Sequence, residues 1–408
     1  MSDPWLRSAP RTRLLTGVPS NIGMRTLRWI LAVSFLVGAC TQGTPSAPPT
    51  APPATSAGTP GGIPAPTAAV LADGSPLPSG CSGPSLPSQT VAFVSGGRAW
   101  ALDPTTETLS CLFPVRDPGP FAWGPQGDRV LLGGFRVRGL SADAPDLPGI
   151  AAAPATFDWG HPIGLAVVFA GAAGEPEKRF MDDGRVERLS ALPSGTYLHV
   201  AYHPSGLALA FVVDHDGEQA IWFSTNEGTD ATRLVFGQGG TTFTSIAFSP
   251  DGQRLWWVAQ HAGGYPVLHW MDLGHRSSFT DVWRGSDGTF AQDLQLAPAG
   301  SLKSVNTGTV CDQRQALIIE GGSATPAMPF EDRPTAALGW LDRSHLLVEA
   351  GGCANPTELY SVDAGGGQPV ALVTGVQLAS PRTVLRNAPD TVPAPNSAAG
   401  QPPLGGLG

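Results

Sequence analysis

Two histidines, His199 and His203, lie four residues apart in a segment that reads as a β-strand. Side chains at even spacing on a strand point to one face of its sheet, so both imidazoles are predicted on the same face. A metal site needs at least a third donor, and the sequence identifies none. We therefore predict a packing or surface role for the two histidines, with metal binding as the weaker alternative.

Acceptor groups also cluster in residues 214–218 (Asp-His-Asp-Gly-Glu), which read as a hairpin turn. Carboxylate oxygens are ligands of Ca²⁺, but the spacing of an EF-hand loop is absent and Asp-Gly is common in turns. The segment is therefore predicted to be a turn, with Ca²⁺ binding as the weaker alternative. No metal and no other cofactor is predicted for the chain.

Common catalytic motifs are absent from the sequence, which contains no GxSxG, GxxxxGK, HExxH or GxGxxG pattern. No catalytic residue is predicted, and a non-enzymatic role is favoured. Enzyme activity stays an open alternative, because some folds assemble an active site from loops that are distant in sequence.

Five cysteines constrain the cellular compartment. If Cys40 is modified, as argued below, four remain: Cys81, Cys111, Cys311 and Cys353. An even number outside the reducing cytosol indicates two disulfides, with three connectivities to choose from. A four-cysteine metal site is the weaker alternative, since no CxxC pair occurs and the spacings are wide.

The N-terminal region has the order of a secretory signal. Residues 24–28 are basic, residues 29–37 are apolar, and Gly38-Ala39 leads into Cys40. The apolar run is shorter than the roughly 20 residues of a spanning helix. The "LVGAC" ending resembles the lipobox of bacterial lipoproteins, which implies a lipidated Cys40 after a signal region of residues 1–39. A start at Met24, and an unlipidated signal peptide with an incidental cysteine, are the alternatives.

The segments before residue 86 and after residue 385 contain few of the large apolar residues that form a hydrophobic core. Residues 40–85 are rich in Pro, Thr, Ala and Ser, and residues 386–408 have a similar composition. Such sequences bury too little apolar area to offset the conformational entropy that is lost on folding, so both are predicted to be disordered. A lipid anchor with a tether predicts an extracytoplasmic membrane protein, periplasmic or at the cell surface.

Charge excludes one class of partner. The chain of 408 residues carries 24 Lys and Arg against 33 Asp and Glu, a formal net charge of −9. Nucleic-acid binding needs a basic patch that displaces counterions from phosphates. No nucleic-acid partner is therefore predicted.

The central region repeats a pattern of strand, turn and strand, typified by residues 245–259 (SIAFSPDGQRLWWVA). The turn residues Pro, Asp and Gly suit tight turns between antiparallel strands. A second strand–turn–strand half follows most copies, as in residues 358–375. Aromatic or apolar anchors 36 to 48 residues apart mark the copies: Trp123, Trp159, Tyr202, Phe248, Leu296 and Trp340.

Four short strands per unit, at this period, predict an all-β fold with a single β-propeller over residues 86–385. The last residues of the region, 376–385, are predicted to complete the first unit and close the ring. This gives seven four-stranded blades, with six and eight as alternatives. The units are predicted at 89–114, 120–150, 155–192, 197–236, 242–285, 290–330 and 334–374.

The turn 249–252 (Ser-Pro-Asp-Gly) and residues 360–375 (YSVDAGGGQPVALVTG) resemble the WD40-like repeats of the TolB family of bacterial β-propellers. The resemblance covers roughly residues 90–380 and is strongest in the units that begin at 197 and 242. It implies an interaction module of the bacterial envelope.

The positions of the cysteines in the predicted blades favour one disulfide pairing over the others. Cys311 and Cys353 fall just after the second strand of adjacent units, where equivalent loops lie side by side. This favours a Cys311–Cys353 bridge and leaves Cys81 to pair with Cys111. A bridge from Cys81 or Cys111 to the sixth or seventh blade stays open.

Aromatic residues on strands are predicted to be core, because each blade buries both faces against its neighbours. This applies to Trp256, Trp257 and the tryptophan anchors, which are therefore not read as a sugar-stacking surface. Tyr265 and Trp283, which lie near predicted turns, are the surface candidates.

Two functions are compatible with these patterns. The first is a non-catalytic protein-binding or scaffold module of the cell envelope, anchored to the membrane by lipid. The second is an extracytoplasmic enzyme or carbohydrate-binding propeller with its site at the central channel. Clustered carboxylates or histidines at the channel would favour the second, and an exposed apolar patch would favour the first.

Overall fold

The structure is a computed structural model that describes residues 70–71, 73–78, 91–116, 119, 121–124, 127–140, 144–150, 157–159, 166–170, 175–276, 278–353, 357–382 and 406–407. Within these residues no helix has the length and apolar character needed to cross a membrane. The predicted signal region, Cys40 and nearly all of the predicted tail lie outside the described residues.

The described residues form seven sheets, named blades 1 to 7 in chain order. Blade 1 contains β1 (Val91–Ser95), β2 (Arg98–Asp103), β3 (Thr108–Pro114) and the late strand β27 (Leu378–Pro381). Blade 2 contains β4 (Ala122–Trp123), β5 (Arg129–Leu132) and β6 (Arg136–Gly139). Blade 3 contains β7 (Phe157–Trp159), β8 (Ala166–Ala170), β9 (Pro176–Phe180) and β10 (Val186–Arg188).

Blades 4 to 7 follow the same plan. Blade 4 contains β11 (Thr196–Tyr202), β12 (Ala208–His215), β13 (Glu218–Thr225) and β14 (Thr232–Gly237), and β28 (Gly406–Leu407) pairs with β14. Blade 5 contains β15 (Thr242–Phe248), β16 (Arg254–Gln260), β17 (Pro266–Asp272) and β18 (Phe279–Arg284). Blade 6 contains β19 (Ala291–Leu296), β20 (Lys303–Thr307), β21 (Gln315–Glu320) and β22 (Ser323–Pro326). Blade 7 contains β23 (Thr335–Trp340), β24 (His345–Ala350), β25 (Thr357–Asp363) and β26 (Val370–Val376). Two short 3-10 helices complete the described elements, Gly133–Phe135 and Cys311–Gln313.

The blades form a closed ring, in which innermost strands connect neighbouring blades except blades 2 and 3. Strand β11 contacts β7 and β15, β19 contacts β15 and β23, and β27 contacts β23 and β4. An apolar cluster that includes Phe135 and Met181 joins blades 2 and 3. The protein is therefore an all-β propeller, as the repeat predicts.

Ring closure uses the C-terminal strand, as predicted. Strand β27 pairs antiparallel with β1, with Val91 opposite Pro381 and Val94 opposite Leu378. The closing strand begins later than expected, because Val376 ends β26 of blade 7 and Gln377 donates its N–H to the Val94 carbonyl at 2.9 Å. Residues 383–385 lie outside the described part of the chain.

The repeated turn is held by its own side chains. In blade 5, the Gly252 N–H donates to the Ser249 carbonyl at 2.8 Å, and Gly252 has a positive φ of 67°. The Asp251 carboxylate accepts from the Ser249 hydroxyl at 2.5 Å and from the Gln253 N–H at 3.0 Å. The copies of this turn also end in a glycine with positive φ, at Gly127, Gly206 and Gly300, a conformation that favours glycine.

The core lies between adjacent blades, and the tryptophans fill it. Trp257 is fully buried between blades 4 and 5, and Trp256 packs with residues of blade 6. The surface prediction for Trp283 is wrong: this side chain is 8% exposed and packs in the same cluster as Trp256. Tyr265 is half-buried and stacks on His261, with ring centroids 4.9 Å apart.

The C-terminal part of the predicted tether contacts the propeller. Leu71 pairs with Val373 of β26, and the Thr374 N–H donates to the Val70 carbonyl at 2.9 Å. Leu77 packs against the apolar cluster shared by blades 1 and 7. Residues 70–71 and 73–78 are therefore docked on blade 7, whereas residues 40–85 were expected to be disordered throughout.

A disulfide links blades 6 and 7. Cys311 and Cys353 are bonded, with their Cα atoms 5.1 Å apart, which is the pairing that the blade register favours. Asp312 fixes the loop by accepting the Cys353 N–H at 2.8 Å. Cys111 is buried on β3 and is also disulfide-bonded. Cys81, its predicted partner, lies outside the described residues.

Peptide mapping without reduction should recover one peptide that links Cys311 to Cys353 and a second that links Cys81 to Cys111. The loops that carry Cys311 and Cys353 lie side by side, so the first bridge forms without backbone movement. Digestion after reduction is the control and should release all four peptides. A Cys111–Cys353 peptide would contradict the register of the blades.

Candidate functional site

A cavity of about 430 Å³ lies at the centre of the ring. Residues of the innermost strand of every blade line it, from β4, β7, β11, β15, β19, β23 and β27. Side chains that are far apart in sequence are therefore brought into one site, as is usual for small-ligand and peptide sites at the centre of a closed β fold.

One acid of this cavity, Asp158, has a raised pKa. It lies on β7, and its carboxylate accepts the Tyr202 N–H at 2.7 Å and the Trp159 N–H at 2.8 Å. Burial raises the pKa of Asp158 to about 6, although both hydrogen bonds oppose the rise. A carboxyl with this environment in a cavity is a candidate functional group.

Asp293 and His199 are two further titratable groups in the lining. Asp293 has φ of 55° at a β-bulge of β19, a conformation that costs energy for a residue other than glycine. Asn306 holds it by donating to its carboxylate at 3.1 Å. Burial lowers the pKa of His199, and the charge of Asp293 opposes that shift.

The remaining polar groups of the cavity hold the blades together. The Ser245 hydroxyl of blade 5 accepts the Leu294 N–H of blade 6 at 3.0 Å. The Ser380 hydroxyl of β27 accepts the Trp123 N–H of blade 2 at 3.1 Å. No Lys or Arg is among the described residues that line the cavity, so its fixed charge is negative.

Aromatic side chains form much of the wall, from Trp123, Phe157, Trp159, Tyr202 and Phe248. The indole Nε1 atoms of Trp123 and Trp159 are buried and have no hydrogen-bond partner among the described residues. The Tyr202 hydroxyl bonds Asn226, and burial raises its pKa. Aromatic faces beside carboxylates can hold a cation, since the ring quadrupole attracts positive charge.

His199 and His203 have different surroundings. The β-bulge of β11 lies before both of them, between Tyr197 and His199, and the strand ends at Tyr202, so His203 follows the strand. His199 lines the cavity, whereas His203 is fully buried and bonds Ser205 at 2.7 Å and the Gly252 carbonyl at 2.8 Å. His203 has the packing role that was favoured.

The acidic hairpin at 214–218 forms a turn, as predicted. The Asp214 carboxylate accepts the Gly217 N–H at 2.9 Å, so it is used to hold the turn. Within the described residues, one group has metal-ligand proximity, Cys311 with Asp312 and Cys353. Its two sulfur atoms are joined in the disulfide and offer no thiolate.

The exposed large apolar side chains among the described residues are divided among several blades. The five large ones lie on four different blades: Val186 on blade 3, Leu207 on blade 4, Val310 and Phe330 on blade 6, and Val370 on blade 7. Carboxylates and a histidine at the channel, which were expected for the second function, an enzyme or carbohydrate-binding site, are observed in the cavity lining as Asp158, Asp293 and His199.

The sequence contained a signal for Asp158 that motif reasoning missed. Asp158 precedes its anchor Trp159 by one residue, and the equivalent position in three other repeats is alanine: Ala122, Ala201 and Ala247. An acid that replaces alanine at an innermost-strand position must face the channel or a neighbouring blade. Asp293 carries no such signal, because the bulge that positions it is not visible in the repeat.

No protein-family model and no curated protein matches the chain. Solved β-propeller structures are similar to it at low identity. TolB from Acinetobacter baumannii is 14% identical with a TM-score of 0.43, covering 73% of this chain and 67% of that chain. A putative TolB from Agrobacterium tumefaciens is 12% identical with a TM-score of 0.39, covering 71% and 92%. The Cps50 (Swd1) β-propeller domain from Myceliophteria thermophila is 15% identical with a TM-score of 0.45, covering 63% and 87%.

Proposed function

We propose that this chain is a lipoprotein of the cell envelope, held at the extracytoplasmic face of a membrane by lipid on Cys40, with a TolB-like propeller that binds a partner protein without catalysis. The observation that carries the binding role is the central cavity, where Asp158 and Asp293 face no Lys or Arg among the described lining residues. An acidic channel was expected for the second function and an apolar patch for the first, so the proposal moves the site for the partner protein from an apolar face to this cavity. An acidic, aromatic-walled cavity of this size is built for a ligand rather than for packing alone.

The cavity favours a cationic segment of the partner. Asp158 and Asp293 supply negative charge, and the aromatic walls can cover the apolar stem of a Lys or Arg side chain. The net charge of −9 acts in the same direction, because it attracts a basic partner over a longer range. A Lys or Arg side chain in an extended partner segment meets both requirements.

The anchor rests on the order of the N-terminal residues. A basic segment, a short apolar run and two small residues before Cys40 are typical of a lipoprotein signal. The Pro-rich residues that follow supply a spacer, and residues 70–71 and 73–78 attach its end to blade 7. Residues 41–69 separate Cys40 from this docked segment in the sequence.

Photo-crosslinking at the cavity tests the proposal. A crosslinker in place of Gln295, which lines the cavity, should form a protein adduct in intact cells, whereas one in place of the exposed Glu107 of blade 1 should not. The Asp293→Asn substitution should reduce the Gln295 adduct severalfold, because it removes one of the two carboxylates.

Equal adducts from both positions, or none from Gln295, would contradict a partner in the cavity.

The second candidate is an extracytoplasmic enzyme or carbohydrate-binding propeller that uses the same cavity. Trp123 and Trp159 beside Asp158 favour it, since sugar rings stack on indoles and bond carboxylates. Absence of a protein adduct together with quenching of tryptophan fluorescence by oligosaccharides would support this candidate instead.

A further inference from the structure

A second cavity, of about 490 Å³, lies at the outer rim of the propeller between the outermost strands of blades 1 and 2. Its charge is opposite to that of the central cavity. Three arginines line it, Arg116 after β3 and Arg136 and Arg138 on β6, together with one acid, Asp146. In a chain with more acids than bases, three guanidinium groups at one cavity form a local cationic site.

The two arginines of β6 share a face because they are two residues apart on a strand. Arg138 is fixed by an ion pair with Asp146 and lies 5.7 Å from the ring centroid of Phe113. Asp146 also accepts the Gly139 N–H at 2.9 Å, which holds the pair in place. Asp146 therefore offsets the charge of Arg138 and positions it.

Among the described residues, Arg116 and Arg136 carry the charge that no carboxylate offsets. Arg136 donates from Nε to the Gly133 carbonyl at 3.3 Å, and no described residue accepts from its two terminal nitrogens. No carboxylate pairs with Arg116 or Arg136 in the part of the chain that the structure describes. Both side chains are exposed at the mouth of the cavity.

The floor of the cavity is apolar. Phe113, Leu132, Val137 and Leu147 line it and are each less than 10% exposed, so they offer only their edges to a ligand. Planar guanidinium groups bind phosphate oxygens in pairs. Guanidinium groups above an apolar floor suit a molecule that carries both an anionic head and a hydrocarbon part.

We propose that this rim cavity binds the phosphate group of an amphiphilic molecule, with Arg116 and Arg136 as the phosphate ligands, Arg138 as a positioned third donor and the apolar floor as the contact for the adjoining hydrocarbon. The phosphate can belong to a membrane lipid or to a soluble organic phosphate. The site is independent of the partner in the central cavity.

Calorimetric titration of the full chain with hexyl phosphate and with inorganic phosphate tests the proposal. Hexyl phosphate should bind at least tenfold more tightly, since each methylene that is buried is worth roughly a fourfold gain in affinity. The double variant Arg116→Gln, Arg136→Gln should lower the affinity for hexyl phosphate at least tenfold. Arg188→Gln, at an exposed arginine on the outermost strand of blade 3, is the matched control and should change it less than twofold.

Vesicles separate the two sources of the phosphate. The full chain with Cys40→Ser, which cannot be acylated there, should float with phosphatidylglycerol vesicles and not with phosphatidylcholine vesicles if a lipid is the ligand. Binding of hexyl phosphate without flotation identifies a soluble organic phosphate. Absence of hexyl phosphate binding, or equal loss in the Arg188→Gln control, overturns the proposal, and unchanged thermal melting of the variants shows that they are folded.

Discussion

Removal of residues 378–408 should abolish cooperative unfolding of the propeller and cause it to aggregate. Strand β27 supplies the innermost strand of blade 1, where it pairs with β1 over four residue pairs. It also contacts β23 of blade 7 and β4 of blade 2. Without β27, the backbone groups of β1 lose their partners and the ring opens between two blades, so unpaired strand edges become available for association.

The matched control is removal of residues 387–408 alone, which keeps β27. This shorter deletion takes away β28, whose contribution is two residue pairs on the outer strand of blade 4. It should therefore melt within a few degrees of the full-length protein. Differential scanning calorimetry and size-exclusion chromatography measure both effects. A 378–408 deletion that melts as one cooperative transition near the full-length temperature would mean that β27 does not close the ring.

Ring closure could be predicted because it follows from local chemistry repeated along the chain. The turn at 249–252 needs a glycine at its last position, where φ is 67°, and its copies have a glycine at the same position, Gly127, Gly206 and Gly300, so the copies are visible in the sequence. The first predicted unit lacks one strand, and one predicted strand follows the last unit. The simplest arrangement is that this last strand completes the first blade. Strand β27 begins two residues later than predicted, because β26 extends to Val376.

The candidate site could not be predicted in the same way, because bulges and neighbouring blades determine which side chains reach the channel. The bulge after Tyr197 places His199 in the channel, whereas His203 is buried beside Gly252 of the next blade. Trp283 was expected at the surface because a turn follows it. It is buried by packing with Trp256 and residues of blade 6, and no local pattern in the sequence reports such a contact.

Asp158→Asn should lower the affinity for a cationic partner segment by about 100-fold at pH 7.5, because loss of one member of a buried charge pair costs roughly 2–5 kcal/mol. The Asn side chain keeps the size of Asp158 and can still accept the Tyr202 N–H. Affinity of the wild-type protein should rise as the pH increases through about 6, where Asp158 ionises. The pH dependence should be weaker in the Asn variant. Titration calorimetry at pH 5 and pH 7.5, with the partner or with a Lys-containing peptide derived from its crosslink, measures both.

Stability should change with pH in the opposite direction. The folded protein raises the pKa of Asp158 from 3.8 to about 6, so it favours the protonated form. The resulting stabilisation is fully present below about pH 3.8 and is lost as the pH rises through about 6. Such a shift corresponds to at most about 3 kcal/mol, and access of water to the cavity makes the effect smaller. The free energy of unfolding of the wild type, relative to that of Asp158→Asn, should therefore fall between pH 4.5 and pH 7.5.

The comparison with Asp158→Asn isolates this one group. Burial lowers the pKa values of His199, His203 and His269, so their protonation destabilises the fold as the pH falls. Both proteins share that effect, and it cancels in the difference measured by urea unfolding. A difference that does not vary with pH would show that Asp158 is not perturbed. A carboxylate that lowers stability at neutral pH and strengthens binding at the same pH is the expected behaviour of a residue retained for its ligand.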